Sequence, residues 1–148
     1  MKINKKSLER WLDEYVTIVD VNYGDDFYYS FGDQAITISK DLPDHIDIYK
    51  KFCYKKGLKY NVNDYVICLL HEVGHDQTIL FLNEFLYWID MKLAILLESI
   101  ECYNYLIHWI VCQIYFRLPC EIIATKWMIN FINNNLSAVR ELESLYEV

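Results

Sequence analysis

His71 and His75 stand four residues apart in the run Val66-Ile67-Cys68-Leu69-Leu70-His71-Glu72-Val73-Gly74-His75. On an α-helix, residues at that spacing lie about 40° apart around the axis, so both imidazoles point the same way. Val62, Tyr65, Val66, Leu69, Leu70 and Val73 follow the helical period, which places the histidines on a packed helix rather than a loop. Gly74 is the exception within it. Glycine costs a helix interior about 1 kcal/mol relative to alanine, so its use predicts another segment approaching closely beside the histidines.

The pattern His-Glu-x-x-His has a physical reading. Two neutral imidazoles on one helical face can ligate a single ion, and Glu72 flanks that face within reach of a water on the ion. Zinc lowers the pKa of such a water toward about 7, so a carboxylate can take its proton at neutral pH. These residues point to one zinc ion per chain, with Glu72 as general base for peptide-bond hydrolysis.

A catalytic zinc site needs a third protein ligand. Phe81 lies six residues after His75 and excludes the pattern in which a third histidine stands there. Glu121 is one candidate. It follows Pro119 at the start of a predicted helix, and Ala124, one turn on, is small enough to let that helix press against the histidine helix. A second set is the stripe Glu98, Glu101, Tyr105, His108 and Cys112, which shares one helical face. Glu98 or Glu101 is the alternative third ligand. His108, Tyr105 or the nearby Tyr115 is a candidate to stabilise an oxyanion.

Around the motif the chain reads as α+β. A short helix is predicted over Lys5–Tyr15, with Leu8, Trp11, Leu12 and Tyr15 on one face. Partial alternation over Tyr15–Val21, turn residues at Asn22–Asp26, an aromatic run at Phe27–Phe31 and the alternating Ala35-Ile36-Thr37-Ile38-Ser39 predict a small antiparallel sheet. Everything later is helical. Asp44 is expected to cap a helix to about Tyr54 that Gly57 closes, and Asn61 or Asn63 to open the histidine helix. One or two helices follow between Ile79 and Tyr115. Pro119 starts another helix through about Ile132, and a last one ends near Tyr146. At 148 residues this is one domain with the histidine helix at its centre.

Composition removes several classes. The net charge of −7 opposes nucleic-acid binding, and Lys50, Lys51, Lys55, Lys56 and Lys59 read as a solvated helix face. Hydrophobic residues make up 54% of the chain, which opposes disorder. No segment reaches the roughly 18 uninterrupted apolar residues of a membrane span, and the N-terminal residues lack a signal-peptide pattern. The five cysteines are odd in number and form no CxxC pair, as expected of buried thiols in a reducing cytoplasm.

The motif His71-Glu72-Val73-Gly74-His75, followed by Pro119, Glu121, Ala124 and Trp127 in a PxExxAxxW pattern, resembles the minimal gluzincin-type metallopeptidases of phages and mobile elements in low-GC bacteria. It is more loosely similar to the ImmA/IrrE-type peptidases. The resemblance covers about Asn63 to His75, Leu118 to Phe131 and the strand-like Ala35 to Ser39. It implies a zincin-like fold, Glu121 as third ligand, Glu72 as base, and a peptide or protein substrate, a regulatory protein among the options. In the zincin arrangement the substrate lies extended along a sheet edge, which is assigned to Ala35, Ile36, Thr37, Ile38 and Ser39. Two departures stand out. The interval from His75 to Glu121 is longer than usual. Thr125 also occupies the place where many larger gluzincins carry an aspartate that supports a metal histidine, which leaves Asp76 or a backbone carbonyl for that duty. The rival reading is a zinc-bearing regulatory or interaction protein that does not turn over, its cleft filled by some of the 13 tyrosines and 7 phenylalanines.

Overall fold

The computed structural model describes residues 3–16, 20–30, 33–78, 89, 92–93, 95–97 and 105–146. Among these, a three-stranded sheet precedes most of the helices. The order is α1 (Lys5–Tyr15), β1 (Asp20–Gly24), β2 (Tyr28–Ser30), β3 (Ala35–Ser39), α2 (Ile46–Lys55), α3 (Asp64–Thr78), α4 (Tyr105–Tyr115), α5 (Pro119–Asn134) and α6 (Leu136–Tyr146). The α+β expectation is met. The described residues between α3 and α4, at positions 89, 92–93 and 95–97, are helical as well.

The sheet departs from expectation in two ways. Its order is β1-β3-β2, with β1 and β3 parallel and β2 and β3 antiparallel, so it is mixed rather than antiparallel. The first strand also begins later than predicted, and Asn22 to Gly24 lie in it rather than in a turn. The β2–β3 connection is a hairpin, as short links favour. The β1–β2 connection instead carries the chain past the place that β3 later fills. That insertion makes β3 the central strand, with all five of its residues buried. Ala35 to Ser39 are therefore not an edge. Ala35 to Thr37 are paired with both neighbours, and Ile38 and Ser39 with β1, so the strand is not the open edge that an added peptide needs over Ala35 to Thr37.

The helix signals were mostly sound. Asn63 caps α3 by accepting the Tyr65 N–H at 2.9 Å. Gly57, at φ 107°, follows α2 in the left-handed region. Pro119 occupies the first turn of α5, where its missing N–H costs nothing. Asp44 does not cap α2, which starts one residue later behind His45 with no side-chain cap.

Helix α3 runs through the middle of the core. Val66, Ile67, Leu69, Leu70 and Val73 are fully buried, and α5 is its most extensive partner through Ala124, Met128 and Ile132. The sheet lies against α3 through β2 and β3. Helices α1 and α6 close the far side, where the Trp11 indole donates to the Ala138 carbonyl at 2.9 Å. Burying a side chain the size of Leu69 or Met128 contributes about 1.5–3 kcal/mol, so α3 is held along most of its length. Helix α4 exposes Leu106, Ile107, Trp109, Ile110 and Ile114. Among the described residues no single helix is long and apolar enough to cross a membrane. Helices α4 and α5 meet that test only together, across a 78° bend.

Candidate metal centre

Three side chains converge between α3 and α5. His71 Nε2 lies 2.9 Å from Glu121 Oε2, His75 Nε2 lies 3.4 Å from Glu121 Oε1, and the two Nε2 atoms are 3.2 Å apart. Zinc bonds of about 2.0–2.1 Å in a tetrahedron put neighbouring ligand atoms about 3.3 Å apart. The two nitrogens and the two carboxylate oxygens approach one another on that scale, and one ligand atom from each residue lies within 4.8 Å of the others. Its donors are two imidazole nitrogens and a carboxylate, a set that suits zinc and other first-row divalent ions. All three residues are buried and could hold a metal ion.

Local sequence explains the convergence. His71 and His75 stack on one face of α3, with ring centroids 4.7 Å apart. Glu121 sits in the first turn of α5, where the helix dipole favours a carboxylate. The two helices meet without side chains between them. A Cβ added at Gly74 would lie 2.6 Å from the Ala124 carbonyl oxygen. The close approach that Gly74 predicted is therefore the α3–α5 crossing itself, and the small residue on the other side is Ala124.

The electrostatics follow from burial and from these contacts. For Glu121, burial alone pushes the carboxyl upward, but hydrogen bonds and charge from His71 and His75 hold it far below its usual range. For His75, burial pulls downward and is outweighed by Glu121 and then Glu72, so the net direction is up. Glu72 is raised, chiefly by burial and also by Glu121. His71, His75 and the backbone N–H of Tyr29 pull it back part of the way. A carboxylate raised in this way is a better proton acceptor near neutral pH than an exposed one.

The hydroxyl that meets His71 belongs to a residue that no local pattern marks. Its Nδ1 is 2.8 Å from the Tyr49 hydroxyl, which is 2.9 Å from Thr125 Oγ1. Asp76 instead accepts the Tyr29 hydroxyl at 2.8 Å and the Gln77 side-chain amide. Asp76, considered as support for a metal histidine, is thus engaged by Tyr29 and Gln77, and the hydroxyl beside His71 Nδ1 is that of Tyr49, a residue of α2 distant in sequence from both histidines. A tyrosine on the apolar face of a helix looks like core, and only the tertiary approach of α2 reveals its partner.

The other candidates are placed as follows. His108 is half-buried, with Nε2 3.7 Å from Cys112 Sγ. The Tyr115 ring lies edge-on to Phe116. Glu98, Glu101 and the side chain of Tyr105 lie outside the described residues. His45, not singled out from the sequence, is lowered mainly by burial, then by the charges of His108 and His71, and is raised by Asp44 and Glu121. His45 thus feels the charge of His108, His71 and Glu121, and its ring packs 5.7 Å from that of Phe116.

Comparison with known proteins yields no match to a protein-family model, to a curated protein or to a solved structure.

Proposed function

We propose that the chain is a zinc-dependent peptidase of the gluzincin type, zincin-like in fold, in which His71, His75 and Glu121 hold the ion and Glu72 is the general base. The observation that carries this reading is the convergence of two imidazole nitrogens 3.2 Å apart on the two oxygens of one carboxylate, at 2.9 and 3.4 Å, beside a buried and raised carboxylate. An ion held there supplies a Lewis acid that acidifies water and polarises a peptide carbonyl. Glu72 takes a proton from the attacking water and delivers it to the leaving amine. His108 is the side chain proposed to donate a hydrogen bond toward the developing oxyanion, and Tyr115 is a further candidate donor.

The substrate is a peptide or a protein bound in extended form. With β3 central, the edge strand beside α3 is β2, whose Tyr29 backbone N–H reaches Glu72. We assign substrate pairing to that edge, Tyr28 to Ser30. The buried free thiols of Cys53, Cys68, Cys112 and Cys120 suit a reducing cytoplasm. A regulatory protein of a phage or mobile element is the substrate that the motif resemblance suggests.

One observation favours a second reading. Glu72 is only 9% exposed and is engaged by the Tyr29 backbone, as in a zinc-bearing interaction protein whose site stays closed. Zinc content after dialysis, measured beside peptide-library cleavage, separates the two. The peptidase reading expects one zinc per chain in the wild type, loss of zinc in Glu121→Ala, and zinc retained in Glu72→Gln with cleavage reduced about 10²–10⁴-fold. Full zinc in every preparation of the wild type with no cleavage of any library would favour the interaction protein. A wild type that takes up no zinc would end both readings.

A further inference from the structure

We infer that Tyr49 and Thr125 form an uncharged relay that positions His71 for the metal, taking the place of a carboxylate. This rests on the reading above, in which His71 binds the ion through Nε2.

The geometry gives the relay a direction. His71 Nε2 faces His75 Nε2 and the Glu121 carboxylate; once Nε2 gives its lone pair to an ion held there, the ring proton resides on Nδ1. That N–H points to the Tyr49 hydroxyl oxygen at 2.8 Å and donates to it. Tyr49 must then place its own proton, and Thr125 Oγ1 accepts it at 2.9 Å. Rotation of His71 about its side chain would break the first bond, so the hydroxyl fixes both the tautomer and the ring plane.

Three helices contribute to this chain of contacts. Tyr49 comes from α2, His71 from α3 and Thr125 from α5. Thr125 follows Glu121 by one helical turn, so α5 carries both the third ligand and the end of the relay. The parts are enclosed: Thr125 is 1% exposed, and the Tyr49 ring is packed against His71 and Phe116 at centroid distances of 5.2 and 5.0 Å. Water cannot readily replace a missing hydroxyl there. The Cys53 thiol also interacts with Tyr49, but a thiol is a weak acceptor, and the Thr125 hydroxyl at 2.9 Å takes the proton. A neutral partner leaves the ion with more of its positive charge than a carboxylate partner would.

The test measures zinc affinity by competition with a chromophoric chelator, at fixed pH, for wild type, Tyr49→Phe, Thr125→Val, Thr125→Ser and the double variant Tyr49→Phe/Thr125→Val. Tyr49→Phe keeps the ring and removes only the hydroxyl. The relay predicts about a 10–100-fold loss of affinity in Tyr49→Phe, a smaller loss in Thr125→Val, and recovery in Thr125→Ser. The double variant should be no weaker than Tyr49→Phe alone, because the chain runs through Tyr49. Cobalt-substituted protein should show a shifted visible spectrum in Tyr49→Phe, a change that loss of packing elsewhere would not produce.

Should Tyr49→Phe fail to fold, the Thr125→Val and Thr125→Ser pair decides alone, valine weakening zinc and serine restoring it. Equal affinity and unchanged spectra in all folded variants, with one zinc bound by the wild type, would overturn the relay while leaving the metal site standing. A wild type without zinc affinity would overturn both.

Discussion

Gly74 stands inside the metal motif, and what it lacks sets the distance between the two helices that carry the ligands. Alanine there would gain about 1 kcal/mol of helix propensity. It would also drive a Cβ to 2.6 Å from the Ala124 carbonyl oxygen, a contact that backbone must yield to. Overpacking of that kind costs about 1–3 kcal/mol. Gly74→Ala should therefore melt at or below the wild-type temperature and bind zinc more weakly, because Glu121 moves with α5. Calorimetry and chelator competition check this; a variant that is more stable and binds zinc equally would sink the argument. At this scale much of the site was legible. The four-residue spacing exposed His71 and His75, Glu72 came with them, and a proline-led helix start flagged Glu121. Tyr49 was not legible, since nothing local distinguishes a core tyrosine from one that supports a ligand.

Among the elements, helices were easier to read than strands because their signals are local. Caps, prolines and the 3.6-residue period lie within a few residues of what they specify, as at Asn63 and Pro119. Strand order depends on which segments meet, and the short β1–β2 link gave no sign that a later strand would enter between them. The consequence is functional, because the edge beside the site passes from β3 to β2. That edge is anchored by the Tyr29 hydroxyl donating to Asp76 of α3 at 2.8 Å. A hydrogen bond to a charged group contributes about 1.5–3 kcal/mol. Tyr29→Phe should leave the overall fold intact and speed amide exchange at Tyr28 to Ser30 by roughly tenfold or more, with β1 unaffected. Unchanged exchange across β2 would mean that the strand is held by its pairing with β3 alone.

For the molecule as a whole, burial governs how stability responds to base. Burial pushes the Cys53 thiol from 9.0 up to about 12, with hydrogen bonds pulling partly the other way. Cys68 is raised further, by burial first and then by Glu72 and Asp64. The sign follows from proton counting. Above about pH 9 the unfolded chain releases these protons while the folded chain keeps them, so the unfolded state gains relative to the folded one. The stabilising contribution of Cys53 is complete below pH 9 and is lost as pH rises toward 12. Denaturant midpoints in a reducing buffer should fall between pH 8 and 10.5, and less steeply in Cys53→Ala. At pH 8 neither thiol should react with an alkylating reagent in the folded protein. Rapid native-state labelling of Cys53 would contradict the burial on which this rests.

The bare crossing of α3 and α5 also acts as a gauge of ionic radius. The side chains of His71, His75 and Glu121 can still swing, but the helices that carry them meet at Gly74 and the Ala124 backbone, so their spacing is set by groups that have no rotamers to change. On the proposed reading an ion of zinc's size is held between the helices as they lie. Calcium, with bonds of about 2.3–2.6 Å and a demand for six or more oxygens, would have to part α3 from α5 and forfeit packing along the whole crossing. On the proposed reading the crossing thereby adds to the preference of two imidazoles and one carboxylate for smaller divalent ions.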